Sequence, residues 1–351
     1  MINSGACLEL TVIIPARNEQ DCLEACLQSL VSQSDADWTL GRDWEVLVVD
    51  DHSTDLTRKI AAAFSNVTVL DAPPPPPGWT GKANAVWTGV KRAAGRWLLF
   101  TDADTLHEPG NLRRALHEAE KHKVAMLSYS PRQIVQGFWQ RALMPLIFSE
   151  LALAYPPAKV SDPESRVAAA NGQFLLIERE AYFQIGGHEA VARSLLEDVE
   201  LASMAKRRKL GLRFRYAPDA VSTRMYRGFR QMCEGWTKNL ALLFGNPLST
   251  AAWKLLDILL LFGLPVLAWY VPWPVSITTP WLTARLLLLL VWFRTLWRFY
   301  RRVMKSNFPF ADCLLSVFGL PLFIWLLWRS WFGHTVAKRV VWKGRDYAGG
   351  G

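Results

Sequence analysis

Short apolar runs alternate with amphipathic stretches through the first hundred residues. Four apolar runs predict buried strands, at residues 10–15, 45–49, 67–70 and 96–100. Three stretches with helical periodicity predict helices between them, at residues 20–32, 55–64 and 82–93. Strands and helices that alternate at this spacing are joined by right-handed βαβ crossovers. The pattern therefore predicts an α/β fold with a mainly parallel sheet.

The pattern changes in the second half of the chain. Apolar runs at residues 255–275 and 308–332 are about as long as the ~20 residues that cross a bilayer. A third run, residues 281–300, is interrupted by Arg285 and Arg294. Seven tryptophans lie at or near the ends of these runs, as in the aromatic belt of a membrane protein: Trp269, Trp273, Trp281, Trp292, Trp297, Trp325 and Trp328.

Charge separates the same two parts of the chain. Residues 1–250 hold 28 Lys and Arg and 28 Asp and Glu, whereas residues 251–351 hold 12 Lys and Arg and three Asp. The net charge of +9 therefore accompanies the apolar runs, which points to a membrane surface and not to nucleic acid. We predict an α/β domain over residues 1–246 and two to three transmembrane or membrane-associated helices over residues 247–351. The alternative is a buried helical subdomain of a soluble protein.

The stretch from Ile134 to Pro157 mixes large apolar residues with a few polar ones and contains Pro145. Because this stretch is short and partly polar, we do not expect it to cross the bilayer. Two interpretations stay open: a core segment, or an interfacial helix that lies on the bilayer.

The five cysteines contain no C-x-x-C pair, and only Cys22 and Cys26 lie close together, at helical spacing. This pattern supports neither a disulfide framework nor a zinc knuckle. Residues 1–10 contain no basic region followed by an apolar stretch, so we expect no signal peptide and a cytoplasmic location for the first 250 residues.

Polar residues follow three of the predicted strands, at the edge where parallel sheets bind ligands. After residue 100 come Asp102 and Asp104, a pair of carboxylates that can reach one Mg²⁺ or Mn²⁺ ion shared with phosphate oxygens. The alternative is that Asp102 and Asp104 belong to an ordinary solvated turn. After residue 49 come Asp50 and Asp51, where a carboxylate can accept a hydrogen bond from a nucleobase imide. The alternative there is a turn in which Ser53 or Thr54 caps the next helix.

Two further segments carry charge at predicted helix starts. Lys82 lies in Gly78-Trp-Thr-Gly-Lys-Ala-Asn84, where a helix N-terminus and an ammonium suit a phosphate, although the Walker pattern is absent. Glu197 and Asp198 begin an amphipathic helix that ends in a basic run at residues 206–209. Carboxylates there serve the helix dipole, or one of them acts as a catalytic base. The basic run is interpreted as a solvated last turn or as a contact with lipid headgroups.

Taken in order, six motifs resemble the family-2 glycosyltransferases with the GT-A fold: Pro15-Ala-Arg-Asn-Glu19, Val49-Asp-Asp-His-Ser-Thr-Asp55, Gly81-Lys82, Asp102-Ala-Asp104, Gly186-Gly-His188 and Glu197-Asp198. The resemblance covers about residues 10–245. It implies a nucleotide-sugar donor, usually a uridine diphosphate sugar, and an inverting single displacement. It also implies roles for individual positions: Pro15, Arg17, Glu19, Asp50, Asp51, Lys82 and Asp102 for the donor, Asp102 and Asp104 for the metal, and Asp198, with Glu197 as its rival, for catalysis.

A further motif of the membrane members, Q/R-x-x-R-W, corresponds here to Gln231-Met-Cys-Glu-Gly-Trp236. The tryptophan is kept, and the resemblance implies that Trp236 contacts the donor, but Gly235 stands where arginine is expected. The form Gly-Trp-x-Lys-Asn is similar to the branch of carotenoid, hopanoid-associated and ceramide-type transferases, as is the closing segment Trp342–Tyr347. This departure argues against a processive polysaccharide synthase.

The resemblance and the apolar runs together predict a metal-dependent inverting glycosyltransferase in the plasma membrane, multi-pass, acting on a lipid-soluble acceptor. Alternatives are a non-catalytic membrane scaffold that has kept a nucleotide-sugar domain, and a nucleotidyltransferase. The positive-inside rule places the loop Pro272–Trp281 outside and the basic cluster at residues 298–305 in the cytoplasm. Because Lys338, Arg339, Lys343 and Arg345 draw the C-terminus inward, residues 308–332 are predicted to form a re-entrant or surface hairpin.

Overall fold

A computed structural model describes residues 8–34, 36–271, 280–342 and 345–348. The chain divides into two compact units. The first consists of Met1–Ile134 and Tyr155–Met225, and the second of Val135–Ala154 and Tyr226–Gly351. The sequence also predicted a boundary at residue 246 between an α/β domain and a membrane domain. This domain boundary stays a prediction. Cys7, residues 272–279, Lys343 and Gly344 lie outside the described residues.

The strands are numbered in chain order: β1 (Leu10–Ala16), β2 (Trp44–Asp50), β3 (Val67–Asp71), β4 (Trp97–Phe100), β5 (Thr105–His107), β6 (Met126–Ser130), β7 (Arg132–Gln133), β8 (Leu175–Glu178), β9 (Leu212–Tyr216), β10 (Val221–Thr223), β11 (Arg339–Trp342) and β12 (Arg345–Ala348).

The helices are α1 (Leu23–Val31), α2 (Thr57–Ala62), α3 (Gly81–Arg92), α4 (Asn111–Lys121), α5 (Gly137–Ala154), α6 (Pro157–Ser161), α7 (Arg179–Gln184), α8 (Gly187–Ala190), α9 (Glu197–Arg207), α10 (Phe229–Leu243), α11 (Pro247–Ile258), α12 (Leu264–Tyr270), α13 (Pro280–Val303) and α14 (Phe310–Thr335). The predicted early strands and helices are confirmed to within a few residues.

The first unit is built on a seven-stranded sheet in the order β3-β2-β1-β4-β8-β6-β9. The pairs among β1 to β4 and the pair β6–β9 are parallel, which confirms the mainly parallel sheet. Strand β8 runs antiparallel to both of its neighbours, β4 and β6, and the hydrophobic pattern did not predict this reversal. A smaller sheet in the order β5-β10-β7 belongs to the same unit.

Helices cover both faces of the large sheet, and this explains why its first strands are apolar at nearly every position. Val46 and Val48 of β2 face the core formed with α1 and α4, whereas Leu47 and Val49 face the core formed with α3 and α9. Gly89 of α3 lies so close to the sheet that a Cβ there would stand 2.7 Å from Ile13. This close approach fixes α3, and with it Lys82, over the strands.

Three residues of the basic run, Arg207, Arg208 and Lys209, are exposed, as predicted for a solvated last turn. Lys206, its first residue, is half-buried and holds a loop. Its ammonium group donates to the backbone carbonyls of Lys159, Asp162, Ser165 and Val167, at 2.7 to 3.1 Å. The carbonyl of Lys159 belongs to α6, and the other three lie in the irregular segment that follows it. One lysine thus supplies hydrogen bonds that a regular element would otherwise provide.

The second unit contains the long apolar helices together with α5. Residues 142–150 of α5 are buried without interruption, and a Cβ on Gly319 of α14 would collide with the carbonyl oxygen of Ala142. Continuous burial favours the core interpretation of this segment over the interfacial one. Within this buried layer Glu150 pairs with Lys254 at 2.7 Å and with Arg302 at 3.0 Å.

The first apolar run contains a single π-helical turn, Leu259–Gly263, between α11 and α12. Pro265 follows it and cannot donate an amide hydrogen to the carbonyl of Leu261, four residues earlier. The indole N–H of Trp292 on α13 donates to that carbonyl at 2.9 Å. The side chain of Trp292 thus supplies the hydrogen bond that the proline removes.

The prediction of a re-entrant or surface hairpin at residues 308–332 is wrong. Helix α14 runs uninterrupted from Phe310 to Thr335, with Pro321 in its interior. Two helical segments are long and apolar enough to cross a membrane, judged by length and composition, and they are Pro247–Tyr270 and Phe310–Thr335. Helix α13 is not one of these two, and two of its basic residues pair internally, Arg298 with Asp257 and Arg302 with Glu150.

Candidate active site

The carboxyl ends of β1, β2 and β4 meet at one edge of the large sheet. Ala16 lies opposite Asp50 in the register of β1 and β2, and Ile13 lies opposite Phe100 in the register of β1 and β4. The three polar segments that follow these strands are therefore neighbours in space, as the sequence predicts.

The loop after β1 is joined to the loop after β2 by side chains that bond backbone groups. The backbone N–H of Asn18 donates to Ser53 Oγ at 3.1 Å, and the N–H of Thr54 donates to Asn18 Oδ1 at 2.9 Å. Asn18 adopts a left-handed φ of 53°, a conformation that asparagine tolerates well. Ser53 and Thr54 therefore hold Asn18 and do not cap α2, and it is Asp55 that accepts from the N–H of Thr57.

Asp50 is buried at the end of β2 with one oxygen committed and one not. Its Oδ2 accepts from the backbone N–H of Ser53 at 3.2 Å, whereas no partner for Oδ1 lies among the described residues. A buried carboxylate oxygen without a donor is costly, so a ligand N–H would satisfy it. Arg17 lies beside this site, where its Nη1 donates to the carbonyl oxygen of Asp51 at 3.2 Å.

The other two residues predicted for the nucleoside, Pro15 and Glu19, lie at the end of β1 and in the loop after it. Pro15 belongs to β1 and lines the small cavity described below. Glu19 donates through its backbone N–H to Thr57 Oγ1 at 2.7 Å, and its Oε2 accepts from Cys22 Sγ at 3.2 Å. Its predicted contact with the donor stays a prediction.

Lys82 joins two of the predicted acidic segments. Its Nζ lies 2.9 Å from Asp102 Oδ1 and 3.0 Å from Glu197 Oε1. The helix start that carries Lys82 is fixed by Thr80, whose side chain accepts from the backbone N–H of Ala83. Burial alone would lower the pKa of Lys82, but the charges of Asp102 and Glu197 outweigh burial and raise it well above its usual value. Lys82 is therefore a fixed positive charge.

Asp198 is held by two backbone amides beside this ion pair. Its Oδ2 accepts from the N–H of Gly172 at 2.7 Å, and its Oδ1 accepts from the N–H of Val199 at 2.9 Å. Burial and the charge of Glu197 raise the pKa of Asp198 to about 6, against the opposing effects of Lys82 and the two amides. Asp198 is thus a carboxylate of fixed orientation that titrates near neutral pH.

A small cavity of about 10 Å³ lies among these groups, lined by Pro15, Lys82, Asp102, Gly172, Glu197 and Asp198 together with five other residues. This volume holds about one water molecule. The cavity is much smaller than a typical small-molecule site, which measures roughly 300–1,000 Å³.

Comparison with known proteins decides which chemistry this arrangement belongs to. Residues 11–187 match the model of glycosyl transferase family 2. The chain belongs to this family. It is 27% identical over 348 residues to the 4,4'-diaponeurosporenoate glycosyltransferase of Staphylococcus aureus strain USA300, covering 97% of this chain and 88% of that protein. The corresponding protein of strain MRSA252 is 28% identical over 353 residues, with the same coverage.

The fold of this glycosyltransferase is also that of a solved relative. The mannosyltransferase PcManGT from Pyrobaculum calidifontis, solved with GDP-Man and Mn²⁺, superimposes with a TM-score of 0.54 at 17% identity, covering 94% of this chain and 88% of that one. The chain accordingly has the GT-A glycosyltransferase fold, as the motifs predicted.

The two carboxylates predicted to hold a divalent metal, Asp102 and Asp104, lie just beyond β4. Within the described ranges no group of three or more His, Cys, Asp and Glu side chains forms a metal site. Two carboxylates still fit Mg²⁺ or Mn²⁺, because these ions keep water and phosphate oxygens as their remaining ligands. In the structure Asp102 Oδ1 is bound to Lys82.

Trp236 is the one predicted donor residue that belongs to the second unit. Its side chain is buried, and its indole N–H donates to Met144 Sδ at 3.2 Å. The predicted contact of Trp236 with the donor stays a prediction. The neighbouring departure from the family motif has a steric cause: a Cβ at Gly235 would lie 2.5 Å from the ring of Tyr226, which leaves no room for arginine.

Sequence reasoning gave no role to two residues that shape this site. Gly172 supplies the amide that fixes Asp198, and no composition or spacing signal marks it. His188 lines the same cavity and belongs to the Gly-Gly-His motif. Burial lowers its pKa to about 4, and its backbone N–H donates to the Tyr182 hydroxyl at 2.8 Å. The Gly-Gly-His motif could have pointed to His188, which lines the site as a neutral side chain.

Proposed function

We propose that this family-2 glycosyltransferase moves one sugar from a uridine diphosphate sugar to the hydroxyl group of a lipid-soluble acceptor, with inversion at the anomeric carbon. The observation that carries the proposal is Asp198: a carboxylate held by two backbone amides, facing the same cavity as Lys82 and Asp102, with a pKa raised to about 6. A base is most effective when its pKa lies near the working pH.

In the proposed step Asp198 takes the proton of the acceptor hydroxyl as that oxygen forms a bond to the anomeric carbon. The bond between the anomeric carbon and the diphosphate oxygen breaks, and the diphosphate leaves with the electron pair. Attack from the face opposite the leaving group inverts the carbon. Lys82 moves from Glu197 to the departing diphosphate and neutralises its charge. Mg²⁺ or Mn²⁺, held by Asp102 and Asp104, supplies further positive charge at the diphosphate when bound.

The loops after β1 and β2 bind the nucleoside in this proposal. Asp50 Oδ1, which is buried and has no partner among the described residues, accepts the imide N–H of uracil. Arg17 and Asp51, together with Pro15 and Glu19, form the rest of this subsite. A cytosine ring has no imide N–H at that position, so the same oxygen disfavours cytidine donors.

The lipid acceptor and the membrane location are proposed from the second unit and from a relative. Two helical segments, Pro247–Tyr270 and Phe310–Thr335, have the length and composition of membrane spans. Trp269, near the end of the first segment, is 75% exposed, as expected of an interfacial belt. The similar protein of S. aureus acts, by its name, on the carotenoid 4,4'-diaponeurosporenoate. We therefore propose that the second unit binds the chain to a membrane.

The name of that relative favours a second acceptor chemistry, a carboxylate in place of a hydroxyl. A carboxylate is already ionised at neutral pH, so transfer to it needs no base. The product would be a sugar ester, which mild alkali cleaves, whereas a glycoside resists the same treatment. Alkaline treatment of the purified product therefore separates the two chemistries.

The direct experiment uses the full chain in membranes of the expressing cell. The membranes are incubated with Mn²⁺ and each of several radiolabelled UDP sugars, and the organic phase is counted and examined by mass spectrometry. We expect label from one donor in a lipid that gains one hexose mass. UDP binding without label in any lipid would support the scaffold alternative. Release of the chain by an alkaline carbonate wash would contradict the membrane location.

A further inference from the structure

A second concave site lies in the first unit, away from the residues of the active site. It is an open groove of about 720 Å³ between α4 and the sheet edge formed by β6 and β9. Its charged lining consists of five cations and two acids: Arg113, Arg114, Lys121, Arg213, Arg215, Glu118 and Asp219. None of the residues that line the cavity at Asp198 lines this groove.

Two of the arginines are held in fixed positions by one carboxylate. Glu118 Oε1 accepts from Arg213 Nε at 2.6 Å, and its Oε2 accepts from Arg215 Nε at 3.1 Å. The hydroxyl of Tyr129 donates to the same Oε2 at 2.7 Å, and the guanidinium of Arg215 stacks over the Tyr129 ring at 4.4 Å. Burial alone would raise the pKa of Glu118, but the hydrogen bonds from Arg213 and Tyr129 outweigh it and lower the pKa. Glu118 is therefore ionised and orients both arginines.

The arrangement leaves donor groups for a ligand. Among the described residues Arg213 bonds only through Nε, so both of its terminal nitrogens stay open to an acceptor. An arginine oriented through Nε presents its terminal nitrogens as a fork that suits phosphate. The five cations and two acids give the lining a net charge of +3. His117 and His122 line the same groove and add donors.

We propose that this groove is a binding site for a phosphate-bearing ligand with at least two negative charges. The volume lies within the range of small-molecule sites and exceeds what inorganic phosphate fills, so the ligand carries further groups. A soluble organic phosphate and a lipid headgroup share this chemistry. The site is independent of the proposed transfer reaction, and it stands if that reaction is wrong.

Calorimetric titration of the full chain in detergent with pyrophosphate, in the presence of EDTA, tests the site. Lys121→Gln removes an exposed groove charge at little risk to folding, and Arg213→Gln removes the oriented fork. We expect several-fold weaker binding in the first variant and at least ten-fold weaker binding in the second. Lys59→Gln, an exposed lysine of α2 outside the groove, should bind as the wild type does.

Lys82→Ala identifies binding at the active site instead. Pyrophosphate binding that falls in Lys82→Ala and is unchanged in Lys121→Gln would overturn the proposal, as would binding that no variant alters. Repeating the titration in nanodiscs separates the two sources of ligand. Weaker apparent binding with phosphatidic acid than with phosphatidylcholine alone supports a lipid headgroup, and equal binding supports a soluble phosphate.

Discussion

The backbone N–H of Gly172 donates a 2.7 Å hydrogen bond to Asp198 Oδ2. The same glycine stands against the other side of the site, because a Cβ at position 172 would lie 3.0 Å from Lys82 Nζ. One residue without a side chain thus orients the proposed base and leaves room for the neighbouring cation.

Gly172→Ala should therefore slow transfer and leave the fold intact. The added methyl group displaces only the end of the flexible Lys82 side chain, while the amide that holds Asp198 is kept. We expect transfer to fall by roughly ten-fold, because small misplacements at a reacting centre cost that much or more. Gly245→Ala is the control, since a Cβ there meets nothing within 4 Å. Equal loss of activity in both variants would show that the effect is not local.

Asp104→Ala should weaken metal-dependent donor binding. Loss of one of two fixed carboxylates leaves the diphosphate charge less balanced, and we expect a loss of several kcal/mol in transfer, of the order that metal charge stabilisation contributes. UDP binding should be measured with and without Mn²⁺. In the wild type Mn²⁺ should tighten binding, and in the variant it should not. Asp71→Asn, an exposed partner of Arg58, is the control. A variant that keeps the full Mn²⁺ effect would show that the pair is only a turn.

The pH dependence of kcat/KM should report Asp198. A base must be unprotonated, so activity should fall as the pH drops below about 6, the value to which burial and the charge of Glu197 raise its pKa. Glu197→Gln removes one of the two raising effects and should move this acid limb to lower pH. A limb at the ordinary aspartate value in the wild type, or no shift in the variant, would contradict the assignment.

Acid should destabilise the first unit through its buried histidines. Burial lowers the pKa of His107 to about 3, and its ring nitrogens lie between the Thr101 hydroxyl and the amide of Asn111. The unfolded chain binds a proton near pH 6.5 and the folded chain does not. Stability is therefore full above pH 6.5 and is lost as the pH falls toward 3, by up to about 1.4 kcal/mol per pH unit.

Calorimetric midpoints of the wild type and of His107→Gln between pH 7.5 and 4 test this sign. The variant should be less stable at neutral pH and should lose less stability on acidification. Parallel curves for the two proteins would show that His107 does not contribute.

The sequence predicted those parts of the fold that depend on a local pattern of apolar and polar residues. The run Val46 to Val49 is apolar throughout because helices cover both faces of β2, and a local pattern is enough to show this. The reversal of β8 is set by its neighbours β4 and β6, which lie far away along the chain. The positive-inside rule predicted a hairpin at residues 308–332 from the positions of basic residues near the apolar runs. This rule says nothing about whether a helix is continuous, and α14 continues through Pro321.

In the active site, too, local motifs predicted individual residues but not the contacts between distant segments. Lys82, Asp102, Glu197 and Asp198 carry charge and were found from motifs, and the structure brings all four to one cavity. The contact of Lys82 with Glu197 joins segments more than a hundred residues apart, which no single motif contains. The Asp198 amide partner, Gly172, has no side chain to attract notice.

Transfer and donor binding measured side by side in Asp198→Asn and Glu197→Gln test the central claim most directly. Asn keeps the shape of Asp198 but cannot take a proton, so transfer should fall by about 10²–10⁴-fold. The affinity for UDP should stay within about two-fold of the wild type, because the loops at Asp50 and the pair Asp102 and Asp104 are untouched. A two-fold change is well below the factor of ten that corresponds to about 1.4 kcal/mol. Normal transfer in Asp198→Asn together with a catalytic defect in Glu197→Gln would contradict the account and make Glu197 the base.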